Sequence, residues 1–422
     1  MNATNASLFE RGRKVIPGGV NSPVRAFGSV GGTPYFVASG AGARVTDVEG
    51  TTYYDLVQSY GAIVAGHAHP KVVEAIRSAA GEGTSFGAPT PREVVLAEAI
   101  CERVPSVEKV RMVNSGTEAT MSAIRVARGA TGRPKLLKFA GNYHGHSDGL
   151  LVSGGTAMAS LGLPASAGVT DNAVADTVIA PYNVVPTLDD TFAAVIVEPC
   201  AANMGLVAPA AGFLEGLRAE CDRVGALLVF DEVITGFRVA RGGAQERTGV
   251  TPDLSAFGKI IGGGLPVGAF GGRADVMDEL APLGPVYQAG TLSGNPLATA
   301  AGLAVLDLLD ADAYARMETQ AEALAAAFTD AFSAAGLTAL VPRWGTLVGL
   351  FFGPVLPHDF TTACTTDEAL HTRFFHALLD EGVATAPGAY EVMFPGLAHD
   401  DAVLSAIAEA AARAAIVASS SG

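Results

Sequence analysis

Leu227-Leu228-Val229-Phe230-Asp231-Glu232 is a run of four apolar residues closed by two carboxylates. The run is too short for a helix and apolar on both faces. It therefore reads as a strand buried within a parallel sheet, with acid at its carboxyl edge. Residues 110–113, 136–139 and 193–197 carry similar runs, and residues 211–224 show helical spacing between two of them. Strand alternating with helix, from His67 to about Leu309, is the signature of an α/β fold with a parallel sheet and crossovers. Ligands of such sheets collect beyond the carboxyl ends of the strands. An aspartate there could bind a metal, activate a proton or pair with a cationic heterocycle.

Twenty-eight residues further on lies Phe257-Gly258-Lys259-Ile260-Ile261-Gly262-Gly263-Gly264. Of the 27 basic residues only six are lysine (Lys14, Lys71, Lys109, Lys135, Lys138 and Lys259), so the charge is mostly guanidinium. An amine in a glycine-rich apolar loop serves solubility poorly. Desolvation disfavours the ammonium and leaves a nucleophile and base. A surface lysine on a flexible loop is the competing reading, and this segment alone leaves both open. A lysine able to condense with an aldehyde, beside an aspartate for a pyridinium nitrogen, is what pyridoxal phosphate chemistry requires. The competing role for Asp231 is a helix cap after a strand.

A phosphate needs backbone N–H groups at the start of a helix. After the strand at 110–113, Asn114-Ser115-Gly116-Thr117-Glu118-Ala119 reads as a short polar turn, and helical spacing continues from Thr120 to Gly129. Ser115, Gly116 and Thr117 are small enough to let an anion approach the backbone. An ordinary helix cap has the same look. The three features in this chain order carry more than any of them alone.

These segments, 114–119, 230–238 (FDEVITGFR) and 257–268 (FGKIIGGGLPVG), resemble the class III, fold-type I pyridoxal-phosphate aminotransferases. Residues 20–27, 66–70, 83–87, 143–146, 203–205 and 287–296 resemble the glutamate-1-semialdehyde aminomutase branch of that family. The resemblance runs from about Phe9 into the C-terminal region. It implies a large domain with a mostly parallel seven-stranded sheet at 66–310. A smaller α+β domain would be built from 1–65 and 311–422. It implies pyridoxal 5′-phosphate cycling with pyridoxamine 5′-phosphate, and an internal amino exchange that turns the semialdehyde into 5-aminolevulinate for tetrapyrrole biosynthesis. Lys259, Asp231 and Glu391 would be catalytic. Ser115, Gly116, Thr117, Tyr143, His144, Glu198, Asn203, Val233 and Thr291 would hold the cofactor with them, Tyr143 and Val233 on opposite ring faces. Ser22 and Arg25 would bind substrate with Glu391. The resemblance also implies a homodimer whose Thr291 loop reaches the other subunit's site, with glutamyl-tRNA reductase as the upstream partner. Tyr60-Gly61-Ala62 departs from the family's usual Trp-Gly-Pro, and Gly388 from its usual serine, which puts substrate identity in question. An intermolecular aminotransferase acting on a β- or ω-amino acid with a keto-acid acceptor is the second reading.

Composition agrees with a large two-lobed enzyme. The 422 residues are 49% apolar, with a net charge of −15. Such a charge argues against nucleic acid or an anionic membrane as partner. Four cysteines without CxxC spacing suggest neither disulfides nor zinc, and a reducing cytoplasm is the expected setting. The first seven residues have no secretory pattern, and no uninterrupted apolar stretch reaches spanning length. The H-x-H pairs His67/His69 and His144/His146 lack a third ligand at a metal-binding spacing. Residues 81–87 miss the dinucleotide fingerprint by one position, which disfavours a nicotinamide oxidoreductase. A non-catalytic scaffold would have no use for Lys259. Residues 153–169, rich in glycine and small side chains, read as a gating lid.

Overall fold

Val37–Ala41 (β1), Arg44–Asp47 (β2) and Thr52–Asp55 (β3) form an antiparallel meander near the amino end. β2 and β3 bury every second residue, as strands covered on one face do. The fold is a computed structural model that describes residues 3–152 and 166–420. Most of the expected lid, 153–165, lies outside the described residues.

A second sheet is made by Lys109–Val113 (β4), Lys135–Phe139 (β5), Thr177–Ala180 (β6), Phe192–Val197 (β7), Leu227–Asp231 (β8), Leu254–Phe257 (β9) and Gly268–Gly272 (β10). Its seven strands lie in the order β4-β10-β9-β8-β7-β5-β6. β7 and β8 are buried at every residue, which is why their sequence is apolar without alternation. β10 runs antiparallel to both neighbours, and the other pairings are parallel. β4 therefore runs with β9, and every strand but β10 ends on the same side. Close approach explains the glycines of β10: a Cβ on Gly268 would collide with the backbone carbonyl of Ser115. That packing sets the turn after β4 against the sheet.

The carboxyl end of the chain returns to the meander. Arg343–Trp344 (β11) and Leu347–Gly349 (β12) form a small sheet with a later strand, Val392–Met393 (β14), while Val383–Ala384 (β13) pairs in parallel with β3. One apolar cluster joins Leu56 to Phe328, Phe332, Phe374 and Ile407, so both chain ends share a core. The helix Asp401–Ser420 is long and apolar enough, by length and composition, to cross a membrane. It buries Val403, Leu404, Ile407, Ala410, Ala411, Ala414, Ala415 and Ala418. That spacing is a single helical face turned to a protein core. Asp401, Glu409 and Arg413 interrupt it, which is what hid its hydropathy.

One local reading changes. The polar turn at 114–119 is mostly helix, Gly116–Thr131, because the Ser115 side chain accepts from the Glu118 N–H and starts it early. The apolar run 346–352 does not form one continuous strand. β12 ends at Gly349, and Phe351 pairs with Leu340 in an isolated bridge.

Glu232, fully buried after β8, accepts from Thr235 Oγ1 at 2.9 Å and from the Ala244 N–H at 2.7 Å, and Gln245 donates from both its backbone and its side chain. These bonds pin the segment after β8 to the helix Gly243–Thr248. Glu232→Ala strands several buried donors and is expected to cost about 3 kcal/mol, read as a fall in melting temperature. Burial raises this carboxyl from 4.5 to about 7. Its contribution is then full below pH 4.5 and is lost as pH rises through 7. The gap between wild type and variant should accordingly narrow across that window.

Candidate active site

Five strand ends meet at one cavity. β4 leads into Ser115-Gly116-Thr117, β5 into Tyr143-His144-Gly145, β7 into Glu198, β8 ends on Asp231, and β9 leads into Lys259. The cavity, about 260 Å³, is lined by these residues with Cys200, Asn203, Val233, Ile234 and Thr235. Ten of the residues expected to hold a cofactor are thus in one place.

Asp231 is buried and fixed from both sides. Its Oδ2 lies 2.7 Å from His144 Nδ1, and its Oδ1 accepts from the Val233 N–H at 3.1 Å. Burial lowers the pKa of His144 despite the favourable carboxylate, so a neutral imidazole donates Nδ1–H to Asp231. That leaves His144 Nε2 buried with no partner among the described residues. In the pair His144/His146, His144 therefore serves to orient Asp231. His67 likewise sits 2.6 Å from Asp55. Among the described residues no group of three His, Cys, Asp or Glu could hold a metal ion.

Glu198 braces the neighbouring wall. It accepts from the Tyr143 N–H at 2.8 Å, the Ala202 N–H at 2.9 Å and Asn203 Nδ2 at 3.0 Å. Burial, then the nearby Asp231 charge, pushes its carboxyl up to about 8. Gly145 (φ +83°) packs so closely on Thr117 that a Cβ would strike its Cα. This closes the polar turn around the helix start.

Lys259 lines the cavity with a backbone φ of +47°, a left-handed conformation that costs a non-glycine residue about 1 kcal/mol or more. Burial lowers the pKa of its amine, opposed by the charges of Glu391, Asp231 and Glu198 and assisted by Arg238. Glu391, just before β14, is in turn pushed up to about 7 by burial and drawn down by Lys259. The carboxyl-terminal segment thus brings a carboxyl within electrostatic reach of the amine of the large sheet.

Arg25 lies outside this cavity's lining, exposed in the single chain on the turn Pro23–Ala26 that follows Ser22, where its charge reaches Tyr60. Thr291 is not brought in: it is exposed beside Phe86, Thr90 and Ser293 in a separate cavity. The sequence reading missed Gly145, Ile234 and Thr235 as lining residues, although Gly145 and Ile234 adjoin residues it had singled out. It also missed Arg238, whose motif carried no sign of burial.

The donor set suits a flat, phosphorylated heterocycle. Backbone N–H groups at a helix start face one end, a fixed carboxylate and an amine lie in the same chamber, and Tyr143 and Val233 offer apolar faces.

The chain matches the family model "Aminotransferase class-III" over residues 27–414. It is 54% identical over 410 residues to "Glutamate-1-semialdehyde 2,1-aminomutase" of Bordetella avium (strain 197N), covering 95% of this chain and 96% of that one. A solved omega-transaminase from Sphaerobacter thermophilus superposes with a TM-score of 0.91 at 34% identity, over 98% of this chain and 97% of that one. A glutamate-1-semialdehyde-aminomutase from Pseudomonas aeruginosa PAO1 in complex with PMP gives 0.86 at 27% identity, over 97% and 93%. With the lysine, the aspartate and the helix-start cradle gathered at the strand ends, this chain belongs to the class III aminotransferases.

Proposed function

We propose that the chain is a glutamate-1-semialdehyde 2,1-aminomutase, a pyridoxal-phosphate-dependent isomerase that forms 5-aminolevulinate for tetrapyrrole synthesis. The observation that carries this is the near-full-length 54% identity to a relative of that name, in a chain whose Lys259 and Asp231 share one cavity. Residues 1–65 and 311–422 make the small domain around 66–310. The enzyme works in the cytoplasm, downstream of the glutamyl-tRNA reductase that would supply its reactive aldehyde.

Bound pyridoxal phosphate supplies an electron-withdrawing ring and a position that carries an amino group between two carbons. The N–H groups at Ser115–Thr117 hold its phosphate. Tyr143 and Val233 confine the ring, and Glu198 and Asn203 line its edge. Asp231, held by His144 and the Val233 N–H, keeps the ring nitrogen charged. Lys259 Nζ would carry a proton between the substrate carbon and the cofactor position that bears the amino group. Its lowered pKa raises the neutral fraction available for this step. Ser22 and Arg25 hold the substrate carboxylate, and Glu391 receives its amine. Thr291 serves the site of the second subunit in a homodimer, which explains its distance from the cavity of its own chain.

A keto-acid-dependent aminotransferase is the second reading, supported by the 0.91 superposition on an omega-transaminase and by Tyr60 in place of the usual tryptophan. Supplying glutamate 1-semialdehyde with no amino acceptor separates the two. The mutase makes 5-aminolevulinate; a requirement for 2-oxoglutarate or another keto acid would give the assignment to the transaminase.

Lys259→Ala is expected to keep the cofactor, seen in its absorbance after gel filtration, while turnover falls by about three orders of magnitude or more. Near-normal turnover would remove the lysine from the mechanism. Glu391 binds an ammonium only when ionised, so kcat/KM should rise with pH through about 7. In Glu391→Gln that rising limb should vanish; a limb that survives points to another group.

A further inference from the structure

Arg238 is wholly buried, and none of its guanidinium nitrogens meets a carboxylate within 4.0 Å among the described residues. Its Nη2 donates to the Gly61 carbonyl at 2.7 Å and its Nη1 to the Pro395 carbonyl at 3.4 Å, while Nε has no partner. The guanidinium carbon lies 5.3 Å from the centroid of Phe394. Burying an uncompensated cation is costly, and a salt bridge or an apolar residue would fill this space more cheaply. Its cost calls for a use.

The carbonyls it holds belong to the segments of Tyr60 and Glu391, whose charges act on one another and, for Glu391, on Lys259. Gly61 follows a turn in which Gln58, Ser59 and Tyr60 have φ of +45°, +53° and +54°. Three successive non-glycine residues in the left-handed region persist only where neighbours over-determine them. Asp55 holds the near end, accepting from the Val57 and Gln58 N–H groups, and Arg238 holds the far end through Gly61. Pro395 and Phe394 close the short strand that begins one residue after Glu391. The backbone of Arg238 is itself anchored, its N–H to Thr235 and its carbonyl to Thr346 Oγ1 at 3.1 Å. One side chain thus links the segment after β8 to both chain ends.

We propose that Arg238 is a positioning residue that clasps the Tyr60 turn and the Glu391 strand onto the lysine side of the cavity. A guanidinium suits the task because its planar fork spans two acceptors and stays charged. Even here, burial lowers it only to about 10. Its charge also bears on Lys259, where it favours the neutral amine against Glu391, Asp231 and Glu198.

The inference rests on the pyridoxal phosphate reading, and the test separates the two. Arg238→Lys and Arg238→Met are loaded with pyridoxal phosphate and compared with wild type. Both should bind the cofactor and show a KM raised about ten-fold, the loss of one charge-assisted hydrogen bond, with a smaller change in kcat. In Arg238→Met alone, the pH midpoint of the cofactor's visible band should move upward, because the neighbouring positive charge is gone. Arg238→Lys keeps the charge and loses the fork, so if Arg238→Met fails to fold, the KM of Arg238→Lys decides. An unmoved KM in Arg238→Lys overturns the clasp. A wild type without a cofactor band sinks the cofactor reading and this inference together.

Discussion

Parallel pairing forces the chain to deliver five loops to one edge of a sheet, and the site is made from what those loops carry. The result concentrates acid around an amine: Asp231, Glu198 and Glu391 all act on Lys259 in a setting where water screens little. Such a group of charges is stable only if each is fixed. Asp231 has His144 and a backbone N–H, Glu198 has three donors, and Glu391 has the lysine. Hydrogen bonds fix Asp231 and Glu198, which a flexible surface pair would not do, while Glu391 faces the lysine's charge.

Backbone strain gathers at the same place. Lys259 and the run Gln58–Tyr60 take left-handed φ values, as does Gly145, which lets Thr117 be approached closely. The sheet beneath and the apolar core at the chain ends hold these conformations. Arg238 belongs to the same set of constraints: a side chain with no acid partner among the described residues joins the segment after β8 to both terminal segments. The catalytic chamber is therefore a property of three segments held together, more than of any single motif.

The aminotransfer reading survives because its residues came together. Lys259, Asp231 and Ser115–Thr117 were legible from strand ends and small-residue turns, Tyr143, His144, Glu198, Asn203 and Val233 came with the resemblance, and all of them line one cavity. Arg25 and Thr291 were legible only by resemblance, and in a single chain they remain at its margin or outside it. The acceptor-free assay bears on a distinction that neither the cavity nor the superpositions carry, since mutase and transaminase share this machinery.

Local sequence determined the strands, the helix starts and the position of Lys259 and Asp231 at strand ends, because periodicity and turn chemistry act over a few residues. It did not reveal that His144 serves Asp231, that Arg238 is buried without an acid, or that the helix Asp401–Ser420 faces inward. Those outcomes depend on partners tens to hundreds of residues away: 87 between His144 and Asp231, 177 between Gly61 and Arg238. Burial and pairing at such distances are set only when the sheet and the two chain ends close on each other, which is why the tertiary structure alone decided them.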